Sequence, residues 1–193
     1  MELEKEVRFQ VSDETFKRAQ KFNINQNPPV QVIDITCGAY GKNSLQKTGM
    51  IFRVRQKGNK YSLEIKKRTE DKNWIEESIS LPNAENGLSF LNLAGIKPYL
   101  YINRMRTSFT YGNLKIDMDD VELLGKFIEI EYQDSKDAEN ELVSFKNSCG
   151  ITSEPAPLYG NIIFEKQETD EKFNEIYTQK LNEIINRENP HEK

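Results

Sequence analysis

The sequence predicts an α+β protein in which eight antiparallel β-strands close into a barrel, or tunnel, with flanking helices. Three observations predict this fold class. Eight short segments alternate apolar and polar residues with the period of two that is typical of strands. Turns rich in glycine join neighbouring segments in the manner of hairpins. Acidic and basic side chains concentrate on different segments, and a closed barrel would bring these segments together around one lumen.

Composition and charge restrict the class of protein. A chain of 193 residues fits one domain, and its 30% of charged residues suggests either an unusually charged surface or charge inside the fold. The net charge of −4 argues against attraction of the whole molecule to nucleic acid or to an anionic membrane. Any anionic ligand must therefore be bound by a local cluster of cations.

The cysteine and histidine content excludes several kinds of site. Cys37 and Cys149 lie far apart without a metal-binding spacing, which favours reduced thiols in a cytoplasmic protein. The single histidine, His191, lies in a polar tail, so catalysis or metal binding by histidine is excluded from the expected chemistry. No apolar run is long enough to span a membrane, and the N-terminus begins with acids, so we expect a soluble, unexported protein.

The predicted strands span residues 2–10, 30–36, 49–57, 60–68, 73–81, 98–108, 112–119 and 126–133. Lys57–Lys60 and Gly112–Asn113 provide two hairpin turns. Alternation in the third strand places Phe52 and Val54 on one face and Arg53 and Arg55 on the other. The same alternation places the charged residues of the first strand on a single face: Glu2, Glu4, Glu6 and Arg8.

Helices are predicted between and after the strands. Ser12, three residues before Thr15, is typical of a helix start. Gly95 and Gly150 provide helix ends. The stretch from Gly38 to Gly49 is expected to be flexible, and its Gly-Lys-Asn-Ser lacks the upstream glycine of a phosphate-binding loop. The other predicted helices lie at about residues 83–94, 137–149, 158–166 and 169–186.

The distribution of charge over the strands favours an enclosed site. Charged faces that simply meet water are the ordinary alternative in antiparallel sheets. A surface selected only for solubility would intersperse the two signs. Here the carboxylates concentrate in the first and last strands (Glu4, Glu6, Glu129 and Glu131), and the cations in the middle ones (Arg53, Arg55, Lys66, Arg104 and Arg106). Carboxylates suit Mg²⁺ or Mn²⁺ and clustered cations suit phosphate oxygens, so the two sets together suit a metal-bound polyphosphate.

At this point the motifs resemble those of the CYTH superfamily, the triphosphate tunnel metalloenzymes. Glu4-x-Glu6-x-Arg8 resembles the ExExK signature, and residues 119–131 resemble the DEVxxLGxFxEIE block, the most specific of the matches. Further resemblance lies in Phe52–Arg55, Leu63–Lys66, Arg104-x-Arg106 and Leu158–Ile163. The family consists of eight-stranded antiparallel tunnels and includes class IV adenylate cyclases, thiamine triphosphatases and inorganic tripolyphosphatases. The resemblance covers residues 2 to about 166, which gives a tunnel domain over 1–167 and a helical extension with a tail over 168–193.

The resemblance implies roles for individual residues. Metal ligation and catalysis fall to Glu4, Glu6, Glu129 and Glu131, with Mg²⁺ or Mn²⁺ as the cofactor. Phosphate binding falls to Arg8, Arg53, Arg55, Lys66, Arg104 and Arg106. Accessory positions are Glu64, Glu76, Lys115, Asp117 and Asp119. Three features depart from the family. Arg8 replaces the signature lysine. Asn73 and Trp74 stand where the family often has an arginine before the acid, so Glu76 is preferred over Glu77 by strand parity alone, and residues 34–48 match the family poorly. Glu2 precedes the signature and is placed at the rim.

These roles leave three functions open. The first is a metal-dependent phosphohydrolase that acts on inorganic triphosphate or a triphosphate ester. The second is cyclisation of ATP to cyclic AMP and pyrophosphate, and the third is a noncatalytic polyphosphate or nucleotide binder. A thiamine or adenine group would need a clamp at one mouth, for which Trp74, Tyr99, Tyr101 and Tyr111 are candidates, although such residues more often pack. The C-terminal helix is interpreted as a packing or homodimer helix, with gating of a tunnel mouth as the alternative.

Overall fold

The computed structural model describes residues 4–68, 74–133 and 135–188. The side chains of Glu4, Trp74, Arg187 and Glu188 are outside this description. Glu2 and His191, about which the sequence made predictions, lie outside the described residues altogether.

The described residues form an eight-stranded antiparallel sheet with flanking helices, which confirms the predicted fold class. Among them, no hydrogen-bonded strand pair closes the strand order into a ring. The strands are β1 (Glu4–Gln10), β2 (Val30–Gly38), β3 (Met50–Lys57), β4 (Lys60–Arg68), β5 (Trp74–Leu81), β6 (Lys97–Tyr111), β7 (Leu114–Val121) and β8 (Gly125–Gln133). The helices are α1 (Asp13–Gln20), α2 (Ser44–Thr48), α3 (Ala84–Leu93), α4 (Lys136–Cys149), α5 (Tyr159–Thr169) and α6 (Glu171–Glu188).

The chain divides into two compact units. The first unit comprises Met1–Val30 and Arg104–Ile163, and the second comprises Gln31–Asn103 and Phe164–Lys193. In the first unit, β8 pairs with β1 on one side and with β7 on the other, and β7 pairs with β6. In the second unit, β2, β3, β4 and β5 follow one another as antiparallel neighbours. β1 and β8 pair directly, which brings the carboxylates of the first and last strands onto neighbouring strands.

The first unit buries one face of its strands against helices. Phe9, Ile116 and Ile130 contribute to an apolar core that also contains Ala19 of α1 and Phe145 of α4. Because side chains alternate along a strand, the residues between these core positions lie on the opposite face. That opposite face carries most of the charged residues of β1, β7 and β8, whereas Lys5, Asp120 and Lys126 lie on the core side.

The second unit has its own core under α3. Ile35, Val54 and Leu88 are buried there, and Ile184 of α6 packs against them. The core face of β5 is only partly covered, since Ile79 is 60% exposed. As in the first unit, the face turned away from the core carries most of the charged residues of the strands.

The turns and helix ends follow local chemistry. Gly58 and Gly112 adopt positive φ of 57° in the two predicted hairpin turns, a conformation that glycine adopts without steric cost. The Ser12 side chain accepts a hydrogen bond from the Thr15 amide, which confirms the predicted start of α1. Gly150 ends α4 in the left-handed conformation.

The stretch from Gly38 to Gly49, expected to be flexible, contains a short 3₁₀ helix (Gly41–Asn43) followed by α2. The Ser44 hydroxyl accepts a hydrogen bond from the Tyr40 amide at 2.9 Å, which stabilises this compact turn. The sequence pattern did not indicate these helical turns, because single glycines do not by themselves exclude them. Both cysteines are buried free thiols. Among the helices of the described residues, none is long and apolar enough to cross a membrane.

Candidate functional site

The register of β1, β8 and β7 assembles the predicted metal ligands on the charged face of the first unit. Arg8 lies opposite Glu129, and Glu6 lies opposite Glu131. On the other side of β8, Asp117 is the partner of Glu129, and Lys115 is the partner of Glu131. Residues directly opposite on antiparallel strands have Cβ atoms about 5 Å apart, so these charges interact directly.

Arg8 is held by two carboxylates. Its Nε and Nη2 atoms donate to Oε2 of Glu129 at 3.1 and 2.9 Å, and Nη2 also donates to Oε1 of Glu6 at 2.8 Å. Burial alone would lower the pKa of Arg8, but the charge and hydrogen bonds of Glu129 act together with Tyr159 and Glu6, and the net shift is upward. The Arg8 side chain is only 8% exposed, so its charge is retained inside the fold through these pairs.

Arg106 has the densest set of acceptors in this cluster. Its Nε and Nη2 atoms donate to the two carboxylate oxygens of Asp119 at 2.7 and 2.5 Å, a bidentate pair. Nη1 donates to Asp117 at 2.6 Å, and Nη2 also reaches Glu129 at 3.2 Å. Burial would lower the pKa of Arg106, but the hydrogen bonds and charge of Asp119 raise it above its ordinary value.

Asp119 is an internal anchor for guanidinium groups. The residue is fully buried, and its Oδ2 lies 3.4 Å from Nε of Arg104 as well as within the Arg106 pair. The Tyr159 hydroxyl donates to the same oxygen at 2.8 Å. Asp117 is similarly engaged, because it accepts from Ser108 at 2.5 Å in addition to Arg106. These contacts indicate that both aspartates hold the arginines in place.

Glu129 joins the two arginines. Burial would raise the pKa of Glu129, but the charges of Arg106 and Arg8 lower it overall, so its carboxylate is ionised at neutral pH. Glu131 lies nearer solvent and accepts from Nζ of Lys115 at 2.5 Å. That hydrogen bond raises the pKa of Lys115. Each charged group described in this cluster therefore lies beside a group of opposite sign.

The second unit contains a separate charged cluster on β2 to β5. Nε and Nη2 of Arg55 donate to the two oxygens of Asp34 at 2.6 and 2.9 Å. Arg53 pairs with Glu64 and donates through Nη2 to Glu76 at 3.0 Å. Nζ of Lys66 lies 2.7 Å from Oε2 of Glu76.

Of the two neighbouring acids Glu76 and Glu77, Glu76 is the one that faces these cations. The register places Glu76 opposite Lys66 on β4 and Glu77 opposite Ile65, so Glu76 shares a face with Arg53 and Lys66. Burial would raise the pKa of Glu76, but the hydrogen bond and charge of Lys66 lower it overall. The strand-parity argument for Glu76 is thus consistent with the contacts.

The charged faces are only partly solvated: Glu6, Glu76 and Lys115 are about half exposed, but other members are buried. Side chains that alternation placed on the charged faces are buried in both units: Arg8, Asp34, Glu64, Arg104, Asp117 and Asp119. The predicted segregation of acidic from basic strands is only partly observed, because each unit contains both signs. Buried cations need an acid partner nearby, and cross-strand neighbours provide it.

Sequence reasoning gave no role to Asp34, Ser108 or Tyr159, which all contact these clusters. Asp34 was assigned to a strand but given no role, although an acid inside the apolar run of β2 is itself a signal of a buried partner. Tyr159 was noted only as part of a small helix. Its contact with Asp119 depends on the tertiary position of α5, which no local pattern encodes.

The donor chemistry of the first unit fits a divalent cation, but its carboxylates are engaged by arginine and lysine. Glu6 and Glu131 lie opposite each other and offer hard oxygen donors. Two like charges in that position repel unless a cation lies near them. Among the described residues, which exclude the Glu4 side chain, no group of three or more acidic, histidine or cysteine side chains is arranged to hold a metal ion. Glu4 itself lies on β1 opposite Gln133.

The chain matches the model of a known protein family. The CYTH domain model matches residues 2–151. No curated protein matches the chain by sequence.

Several solved structures share the fold. The PH1819 protein from Pyrococcus horikoshii has a TM-score of 0.62 and 24% identity, covering 85% of this chain and 99% of its own. A candidate adenylate cyclase from Vibrio parahaemolyticus has a TM-score of 0.64 and 17% identity, covering 84% and 98%. HpAC1 from Hippeastrum, a candidate adenylyl cyclase described as having a dominant triphosphatase activity, has a TM-score of 0.57 and 16% identity, covering 86% and 96%.

Proposed function

Because this chain belongs to the CYTH domain family, we propose that it is a divalent-metal-dependent phosphohydrolase acting on inorganic triphosphate or an organic triphosphate. One observation carries the proposal: Glu129 on β8 accepts hydrogen bonds from both Arg8 and Arg106, in a cluster that also contains Glu6. Acids suited to a metal and guanidinium groups suited to phosphate are thus interleaved at hydrogen-bonding distance.

In our proposal, the bound ligand replaces one partner of each ion pair in the cluster. Arg8 and Arg106 would turn N–H donors from Glu129 toward phosphate oxygens, which are equally good acceptors. Glu6 and Glu129 would then be released from their arginine partners. The energetic cost of separating the pairs is offset because every charged group acquires a new partner of opposite sign.

The released carboxylates, with Glu4 and Glu131, would hold Mg²⁺ or Mn²⁺. When bound, such an ion polarises the phosphorus and lowers the pKa of an attacking water. Asp119 and Asp117 keep the role of holding Arg106, since both are buried and Asp119 is fully enclosed. Phosphate binding by Arg53, Arg55 and Lys66 remains a proposal that rests on the family motifs.

The guanidinium groups of this chain would favour hydrolysis by stabilising the charge that develops during the reaction. Water attacks the terminal phosphorus, the bond to the leaving diphosphate oxygen breaks, and the proton from water passes to the phosphate products. Guanidinium groups stabilise the negative charge that develops on the leaving oxygen. Arginine suits this task because its charge is retained throughout the accessible pH range.

Adenylate cyclisation is the alternative within the same family. It is favoured by the description of two structural neighbours as candidate adenylate cyclases. In that reaction the ribose 3′ hydroxyl of ATP attacks the α-phosphorus and pyrophosphate leaves. The dominant triphosphatase activity described for HpAC1 is the reason we rank hydrolysis first.

A substrate panel tests these functions. Phosphate release is measured from tripolyphosphate, thiamine triphosphate and ATP, each with Mg²⁺, with Mn²⁺ and with EDTA, and cyclic AMP is measured in the ATP reactions. We expect metal-dependent phosphate release from at least one substrate. Cyclic AMP and pyrophosphate without phosphate release would instead indicate the cyclase. Ligand binding with no product from any substrate would leave a noncatalytic binder.

Variants then test the residues. Glu129→Gln with Glu131→Gln removes two carboxylates with little change of shape, and we expect turnover to fall at least ~100-fold, a magnitude seen for losses of electrostatic stabilisation. Glu139→Gln is the matched control, because Glu139 is exposed and pairs only at 3.5 Å with Lys5. Unchanged turnover and metal dependence in the double variant would refute the proposed ligation.

We also propose a cytoplasmic location and a triphosphate-containing small molecule as the partner.

A further inference from the structure

Tyr159, at the first position of α5, lies against the arginines of the first unit. Its side chain is buried, and its ring centroid is 4.3 Å from Cζ of Arg8 and 5.9 Å from Cζ of Arg104. The ring packs edge-on against Phe127, with centroids 4.9 Å apart. The hydroxyl donates to Oδ2 of Asp119 at 2.8 Å. One side chain therefore contacts both the Arg8 guanidinium and the anchor of Arg106.

The segment before α5 fixes the same arginine through the backbone. The Ala156 amide donates to the Arg8 carbonyl at 2.7 Å. Nη1 of Arg8 donates to the Pro157 carbonyl at 3.5 Å. Glu6 and Glu129 bind the edge of the guanidinium, and the Tyr159 ring covers its face. The guanidinium is thus held at its edge by two carboxylates and a carbonyl, and on one face by an aromatic ring.

The contact between the Tyr159 ring and residue 8 depends on residue 8 being an arginine. A guanidinium is planar and weakly hydrated, so it can stack on an aromatic face while its N–H groups stay available at the edge. A lysine ammonium is compact and strongly hydrated, so it uses the same ring less well. The chain has arginine where the family signature has lysine, and it has an aromatic ring beneath that arginine.

We propose that Tyr159 is a positioning residue for the triphosphate reaction, with its ring orienting Arg8 and its hydroxyl orienting Arg106 through Asp119. This proposal rests on the proposed function. Its substrate-directed groups are Arg8 and Arg106, and Tyr159 acts only through them. A tyrosine that merely packed against Phe127 would stabilise the fold equally whichever cation stood at position 8.

A double-mutant cycle tests the proposal. Turnover of tripolyphosphate with Mn²⁺ is measured for wild type, Tyr159→Leu, Arg8→Lys and the double variant. We expect Tyr159→Leu to lower kcat about tenfold in the wild-type background, from the lost stacking and the lost hydroxyl contact. In the Arg8→Lys background the same change should lower kcat less than about threefold, because the stacking partner is already gone. Tyr159→Phe, which retains the ring, should recover most of the loss.

Controls separate positioning from folding. Urea midpoints are measured for every variant, and Tyr132→Leu is the matched aromatic control, because Tyr132 packs against the apolar core of the same unit. Tyr132→Leu is expected to lower the midpoint while leaving kcat within about twofold of wild type. Equal kcat losses from Tyr159→Leu in both backgrounds, or a loss in Tyr159→Phe as large as in Tyr159→Leu, would overturn the proposal.

The same measurements distinguish failure of the role proposed for Tyr159 from failure of the proposed function. If wild type turns over substrate and the cycle is additive, only the role of Tyr159 fails. If wild type has no turnover, the same cycle is measured on the affinity for tripolyphosphate with Mn²⁺. A protein with neither turnover nor affinity would overturn the proposed function and the role of Tyr159 together.

Discussion

Asp119 illustrates how a single buried acid organises the first unit. It is fully buried, and it contacts Arg104, Arg106 and Tyr159. The neighbouring acid, Asp120, points to the other face of β7, where it pairs with Lys126 and is half exposed. Strand alternation has thus given two adjacent aspartates opposite environments.

This contrast gives a prediction about stability. Asp119→Asn keeps the size of the side chain but leaves buried guanidinium groups without their main counter-charge, so we expect a loss of about 3 kcal/mol in the free energy of unfolding. Asp120→Asn should cost less than ~1 kcal/mol, because exposed ion pairs contribute little. Urea unfolding of both variants measures the difference. Equal losses would contradict the anchoring role of Asp119.

The two thiols give a prediction about pH. Burial raises the pKa of Cys37 to about 12 and that of Cys149 to about 11, against about 8.5 for an ordinary thiol. Both groups therefore stay protonated in the folded protein, and their contribution to stability is complete below about pH 8.5 and is lost as pH rises toward the folded values.

Thiol reactivity checks this prediction. With a disulfide reagent at pH 8, we expect neither cysteine of the native protein to react within the mixing time, because the thiolate is the reactive species and both side chains are inaccessible. In guanidinium chloride both should react at once. A rapidly reacting thiol in the native protein would show that one of the two sites is open to solvent or ionised.

At the scale of elements, the C-terminal helix α6 is part of the second unit. Phe173 and Tyr177 are buried, and their rings stack with centroids 5.8 Å apart. The Tyr177 hydroxyl donates to the Tyr101 carbonyl at 2.8 Å and accepts from the Tyr101 amide at 2.8 Å. These contacts agree with the packing interpretation of this helix. They also give Tyr101, a candidate ring clamp, a buried packing position.

We predict that Tyr177→Phe lowers the free energy of unfolding by about 1–3 kcal/mol, because two buried backbone groups of β6 lose a partner. Tyr40→Phe in the same unit is the control. Since Tyr40 is 53% exposed, its loss should stay within about 0.5 kcal/mol. The two variants are compared by thermal and urea unfolding. A neutral Tyr177→Phe would mean that α6 contributes little to the unit.

Strands and helices could be predicted from the sequence where a single local pattern determines the secondary structure. Alternation identified most of the strands, because the pleat fixes which side of a strand each residue occupies, whereas β2 was identified as a short apolar run after a loop rich in Asn and Pro. The partners of the charged residues were less predictable. Arg8 and Glu129 are 121 positions apart, and their contact depends on the register of β1 with β8. The pair of Asp34 with Arg55 similarly depends on how residues 39–49 return the chain to β3, which no local pattern fixes.

At the scale of the whole molecule, a net charge of −4 opposes the binding of a polyanion. Binding must therefore come from the local clusters, in which every arginine already has an acid partner. If triphosphate and metal replace these partners as proposed, binding of only one of the two leaves some charged side chains without a partner of opposite sign. Tripolyphosphate alone would leave the carboxylates of the first unit without cations, and a metal alone would leave the guanidinium groups without anions.

This reasoning predicts a cooperative effect on stability. With Mn²⁺ and tripolyphosphate together, the melting temperature should rise by more than the sum of the shifts that each gives alone. Saturation at a hundred times Kd corresponds to about 2.7 kcal/mol of stabilisation. Calorimetry with neither ligand, one or both measures the excess, using Glu129→Gln as the variant and Glu139→Gln as the control. We expect Glu129→Gln to lose the excess, since it removes the acid that both arginines share, and Glu139→Gln to retain it. Additive shifts in wild type, or an undiminished excess in Glu129→Gln, would refute the exchange of partners at this cluster.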